Sequence, residues 1–217
     1  MRYLKEREGV LNCAREIYES GMVTGTWGNV SSRIKGQELF IITPSGMNYS
    51  LLQPQDMVLL DLAGKVIAGQ YRPSVETPLH LSIYQHRSDI NAVVHVHSPY
   101  ATAFAVARKS IPVILEETAQ VVGHEIGVAD YAPCGTQVLA DNVLNTLGTD
   151  NKAVLLANHG LVALGQDIAE ALKICYIIEE TAMIFIQANT LGMVYSLAAE
   201  DIAFLHKSFK SYGQEKK

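Results

Sequence analysis

The chain has 217 residues, 48% of them hydrophobic and 18% charged, with a formal net charge of −5 at pH 7. That length and apolar content suffice for one substantial core and do not demand two, so the expectation is a single globular domain over residues 1–217. An acidic chain without a basic stripe excludes a phosphate-backbone surface, and every apolar run is broken well before the roughly 18 residues that would suggest a membrane span, so neither nucleic acid nor membrane is an expected partner.

Apolar positions at helical spacing over residues 2–20 (Leu4, Leu11, Ala14, Ile17, Tyr18) predict an amphipathic first helix that stops at Gly21. Its leading stretch, MRYLKEREGV, lacks a secretory apolar core, which points to the cytoplasm. GTWGNVSSR predicts a glycine-punctuated turn running into a strand, and ELFIITPSG a second strand ended by Pro44 and Gly46. DMVLLDLAGKVIAG predicts a hairpin turning at Ala63-Gly64. In VETPLHLSIYQHR, Thr77 is the predicted N-cap and Pro78 the first helical residue, which puts Glu76 at the mouth of a helix. NAVVHVHS predicts a buried strand, and Ser98-Pro99 repeats the cap-then-proline start for the helix PYATAFAVAR. IPVILEETAQVVG reads as a short strand and a turn, and GTQVLADNVLNTLG as a helix. KAVLLANHGLVALG predicts two strands separated by a break at Asn158-His159-Gly160. Asp167 and Glu170 form a D-x-x-E start for a long helix to about Leu191, and a final helix leads into FKSYG and a charged tail. This order predicts a mixed α/β layer with hairpins and long covering helices, not a regular βαβ alternation.

Cys13, Cys134 and Cys175 lie far apart without a C-x-x-C pair, so neither a disulfide framework nor a cysteine zinc site is expected. The histidines are more informative. On a strand, His95 and His97 share one face while Val94 and Val96 share the other. A single histidine on an apolar strand is more often a hydrogen-bonded core residue than a ligand. Two side by side are harder to satisfy, whereas a divalent metal takes a neutral nitrogen from each. His159, at the glycine break, is a candidate third ligand, and three histidines with a vacant position are the arrangement of catalytic zinc. His80, His86, His124 and His206 lack such company; His80, one turn after Glu76, reads at most as a lining residue. A carboxylate at a helix mouth favours the macrodipole without any catalytic role, and beside zinc Glu76 is equally a candidate general base. GTWGN and TPSG offer backbone amides with Thr26, Asn29, Thr43 and Ser45 as a phosphate cradle, a pattern that ordinary surface turns share.

Together, GTWGNVS, ITPSGM, PSVETPLH, AVVHVHSPYATA, ANHGLVALG and FKSYG resemble the class II aldolase/adducin family, most closely its L-fuculose-1-phosphate aldolase branch, and they cover nearly the whole chain. The resemblance implies a three-layer α/β/α fold around a central, mostly antiparallel mixed sheet. It implies Zn2+ held by His95, His97 and His159, with Glu76 as acid/base residue and resting-state zinc neighbour. It implies a phosphate pocket from Asn29, Thr43, Gly46 and Ser74, with Gly28, Thr26 and Ser45 close by. The activity implied is reversible cleavage of a ketose 1-phosphate to dihydroxyacetone phosphate and an aldehyde such as lactaldehyde. Tyr212, in FKSYG, matches a C-terminal tyrosine that serves the aldehyde side, and a homotetramer with sites between subunits is the implied assembly.

Two departures bear on the substrate. Family aldolases carry two adjacent serines before the glutamate, and here the pair is Ser74-Val75. Where the bacterial fuculose enzyme has a second catalytic tyrosine, IPVILEET places Glu116 or Glu117, which become candidates for the aldehyde side. The family also contains methylthioribulose-1-phosphate dehydratases and ribulose-phosphate 4-epimerases, as well as the non-catalytic adducin head. Glutamate rather than aspartate at position 76 favours carbon–carbon cleavage over epimerisation, and the intact histidine triad favours an enzyme over a binding domain.

Overall fold

In the computed structural model, which describes residues 1–209, one eight-stranded sheet organises the chain. Its strands are β1 (Asn29–Arg33), β2 (Leu39–Ile42), β3 (Val58–Asp61), β4 (Val66–Ala68), β5 (Ala92–Val96), β6 (Val128–Ala129), β7 (Ala153–Leu156) and β8 (Gly160–Gly165). They lie in the order β4-β3-β2-β1-β5-β8-β7-β6, antiparallel throughout except for the β6–β7 pair. Helices α1 (Leu4–Glu19), α3 (Pro99–Ala107) and α6 (Ile168–Leu191) cover one face, while α2 (Thr77–His86) and α5 (Gln137–Leu147) cover the other. The short α4 (Glu116–Val121) and the last helix, α7 (Ala199–Phe209), pack on each other beside α6. This is the α/β/α sandwich expected, with a mixed, mostly antiparallel sheet.

Strand periodicity separates two apolar cores. Val94 and Val96 of β5 join the cluster under α1, α3 and α6, and Val93 joins the one under α2 and α5. His95 therefore falls on the α2 face, fully buried, and His97 follows one residue beyond the strand end. The sheet order then makes β1 and β8 the neighbours of β5. Asn29 pairs opposite His95, Val162 flanks it on the other side, and the β7–β8 turn brings His159 to the same end. Asn158 makes that turn with φ 56, a left-handed conformation that asparagine tolerates.

Three local expectations are corrected. Helix α2 begins at Thr77 with Glu76 as its N-cap, because the Thr77 hydroxyl is used to donate to Ser74 O at 2.6 Å rather than to cap. The Glu76 side chain makes no capping bond and is free for other work. The stretch IPVILEETAQVVG contributes only an isolated bridge, Ile111 to Ile126, and then the helix α4; the polar run Glu116-Glu117-Thr118 winds up instead of turning. The two-residue β6 is the strand that periodicity does not reveal, since alternation cannot register over so short a span.

Gly160 shows how tightly the end of β5 is packed. A Cβ there would sit 2.3 Å from Val96 O and within 3.1–3.2 Å of the His97 and His95 rings. Gly160→Ala is accordingly expected to destabilise the fold by about 1–3 kcal/mol, the usual cost of overpacking. Urea unfolding measures this, and an unchanged midpoint would contradict the tight contact.

Candidate active site

Three imidazoles converge at the end of β5. His95 Nε2 lies 2.9 Å from His97 Nε2 and 3.3 Å from His159 Nε2, and the ring centroids are 4.7–4.8 Å apart. His95 is oriented by Leu161 O, which accepts from Nδ1 at 3.0 Å. With the proton on Nδ1, the neutral ring presents a bare Nε2 to its neighbours. Burial, reinforced by His159, pulls the His95 pKa down to about 3 against the opposing Leu161 bond; burial with His95 and His159 does the same for His97. Both rings are therefore neutral near pH 7. Trp27 stacks over His97 at 6.2 Å between centroids.

Glu76 closes the cluster. Its Oε2 lies 3.1 Å from His95 Nε2, and because His95 is neutral this contact is not an ion pair. Its Oε1 is buried without a hydrogen-bond partner, 3.8 Å from His159 Nε2. The bare Nε2 of His95 and the carboxylate facing it repel, and a divalent cation between them relieves that contact. The three histidines, whose ligating atoms lie within 4.8 Å of one another, can hold such an ion, and the orphaned Oε1 fits its presence.

Behind Glu76 runs a buried polar chain. Asn29 Nδ2 donates to Glu76 Oε2 at 2.8 Å, and Asn29 Oδ1 meets His80 Nε2 at 2.5 Å. His80 Nδ1 meets Ser31 Oγ at 2.6 Å, and Ser31 Oγ meets the Tyr84 hydroxyl at 2.7 Å. His80 is wholly buried, and burial pulls its pKa down to about 3 despite Glu76.

The cluster opens into a cavity of about 460 Å³. Of the residues expected around a phosphate, Thr26, Gly28, Asn29, Ser45, Gly46 and Ser74 line it. Two backbone bonds bring their segments together, Ser45 N to Arg72 O and Ser74 N to Thr43 O, both at 3.0 Å. Gly28 has φ +82, and a Cβ there would lie 2.8 Å from His95 O, so the 26–29 loop reaches this position only as glycine. Thr43 is the exception to the expected cradle. It is fully buried behind the wall, its hydroxyl accepting from Val30 N at 3.3 Å, and it does not line the cavity. Glu116 and Glu117 are exposed in the first turn of α4 and do not line it either; Tyr212 lies outside the described residues.

Sequence reasoning did not assign Trp27, Cys134 and Asn158 to the site, although they line the cavity, and undervalued His80. The signal for His80 was present in its spacing: Glu76, His80 and Tyr84 recur every four residues and so share one face of α2.

Comparison with known proteins gives the family and the fold. The Class II Aldolase and Adducin N-terminal domain family matches residues 8–186. A 5-deoxy-D-ribulose 1-phosphate aldolase of Bacillus thuringiensis serovar kurstaki is 39% identical over 97% of this chain and 98% of its own. A 5-methylthioribulose-1-phosphate/5-deoxyribulose-1-phosphate aldolase of Rhodospirillum rubrum is 33% identical over 95% of this chain and 92% of its own. Among solved structures, an L-fuculose 1-phosphate aldolase superposes with a TM-score of 0.90 at 34% identity, covering 95% of this chain and 96% of that one. The chain belongs to the class II aldolase/adducin family, among its lyases.

Proposed function

We propose that the protein cleaves a ketose 1-phosphate reversibly between C3 and C4, giving dihydroxyacetone phosphate and an aldehyde, with zinc as its metal. The observation that carries this reading is the meeting of three histidine nitrogens with the unpartnered Glu76 Oε1 in a cavity whose wall is built from hydroxyls and amides. His95, His97 and His159 would hold the ion, which supplies Lewis-acid polarisation of the substrate oxygens beside the breaking bond. Glu76 moves the proton to and from the carbon that becomes C3 of dihydroxyacetone phosphate, using Oε1, while Oε2 stays bonded to Asn29. Thr26, Ser45 and Ser74 offer hydroxyls, and Gly28 and Gly46 backbone, to the phosphate; Thr43 supports the wall from behind.

Val75 and Trp27 are 61% and 63% exposed and give the same cavity apolar surface where serine would extend the anion cradle. The substrate assigned is a sugar with an unhydroxylated end, as in 5-deoxyribulose and methylthioribulose, because those are the substrates in the two relatives' names. The homotetramer belongs to the same proposal: Glu116 and Glu117, exposed and outside their own cavity, would meet substrate in a neighbouring subunit's site. The cytoplasm is the proposed location, and no described helix is long and apolar enough to cross a membrane.

The test is product formation by zinc-loaded protein from 1-phosphates of 5-deoxyribulose, methylthioribulose, fuculose and rhamnulose. Dihydroxyacetone phosphate is expected, fastest from the first two; a dehydrated product, or none, overturns the aldolase reading. His95→Ala is expected to lose zinc by elemental analysis and to lose turnover beyond the roughly 10–100-fold that outer-shell changes cost, with the fold retained by circular dichroism. Zinc retained at full turnover would remove His95 from the metal site.

A further inference from the structure

We propose that His80 is a positioning residue for Glu76, acting through Asn29, and that Ser31 and Tyr84 hold His80 to that task; the role assigned to it rests on the acid/base reading of Glu76. Two periodicities build the arrangement. Asn29 and Ser31 share a face of β1, and Glu76, His80 and Tyr84 lie one turn apart along α2, so the two sets interleave like teeth. Four contacts of 2.5–2.8 Å join the five side chains into one series.

The direction of each bond follows from donor chemistry once the wholly buried His80 is neutral. An ionised carboxylate only accepts, so Asn29 must turn its NH2 to Glu76, which leaves Oδ1 facing His80. An amide oxygen also only accepts, so His80 must carry its proton on Nε2. A neutral imidazole has one N–H, so Nδ1 is bare and takes the Ser31 hydroxyl proton. Ser31, having donated, accepts from Tyr84. Every proton in the series is assigned with the carboxylate as the one charged group, and the alternative orientation of the Asn29 amide would set its oxygen against that carboxylate.

The consequence falls on Glu76. Oε2 is tied to Asn29, and Oε1 is the oxygen left unpartnered beside His159. Without the His80 donor, Asn29 has nothing to hold its amide in the productive orientation, and the carboxylate loses the bond that selects which oxygen does the work.

The test compares two variants of similar size. His80→Gln puts an amide N–H where Nε2–H stood, whereas His80→Asn can reach Ser31 but not Asn29. His80→Asn is expected to lower kcat by about 10–100-fold with KM and bound zinc unchanged, and to slow hydrogen exchange at C3 of dihydroxyacetone phosphate in parallel; His80→Gln is expected to recover most of both. Equal activity in the two variants, or losses that track zinc content and melting temperature, overturns the proposal. Nitrogen-15 NMR of the wild-type protein supplies a readout that does not depend on catalysis: the His80 ring should be the Nε2–H tautomer, and an Nδ1–H or doubly protonated ring overturns the assigned direction. If wild-type protein forms no dihydroxyacetone phosphate, the functional reading fails while the tautomer measurement still decides the hydrogen-bond order.

Discussion

The meeting of three imidazoles and one carboxylate at the end of β5 is the constraint around which this structure is arranged. Three histidine nitrogens and a carboxylate meet within hydrogen-bonding distances, and burial keeps at least His95 and His97 from taking the proton that would relieve the crowding. In water such groups would turn away from one another. Here they are held by the register of β5 between β1 and β8, by Leu161 O on the far nitrogen of His95, and by the glycine at the start of β8. The apolar cores on both sheet faces supply the stability that lets so unfavourable a cluster persist.

The two faces of the sheet differ because α2 is not a uniform apolar helix. Leu79 and Ile83 enter the core beneath it, while Glu76, His80 and Tyr84 run along the polar seam against Asn29 and Ser31. A buried network of this kind favours folding only when every member is satisfied, since a half-satisfied one costs more than an apolar core. The single unsatisfied oxygen of the seam, Oε1, sits at its histidine end, 3.8 Å from His159 Nε2. Structure and function share one chain of side chains, closed at the core end and open at the working end.

How much of this could be read from the residues depended on whether a period or an accident of folding was at issue. Alternation put His95 and His97 on one face, and the glycine break gave His159 a way to join them, so the histidine cluster was legible. The Asp167 cap and the long α6 were legible for the same reason, and Asp167 does accept from Glu170 N at 2.8 Å. Thr43 was misjudged because a hydroxyl in a TPSG turn looks alike whether it faces a ligand or a buried backbone N–H. The cap of α2 slipped by one residue because threonine satisfied Ser74 O instead of its own helix. His80 was undervalued because its partners, Asn29 and Ser31, lie some 50 positions away in sequence and meet it only through the β1–α2 packing.

The lining of the cavity carries an electrostatic consequence. Among its described residues there is no lysine or arginine, and Glu76 adds a negative charge. A phosphate dianion entering it therefore finds hydroxyls and amide groups, while the net charge of −5 gives no long-range attraction. Neutral donors orient an anion well, but they compensate little of its desolvation. Burial keeps His95 and His97 neutral, so they supply no positive charge themselves, whereas under the proposed reading a cation at the three histidines would. Under the proposed reading, metal and substrate sites would be coupled through charge as well as through proximity: the same neutrality that makes His95 and His97 good ligands would leave the anion dependent on what they hold.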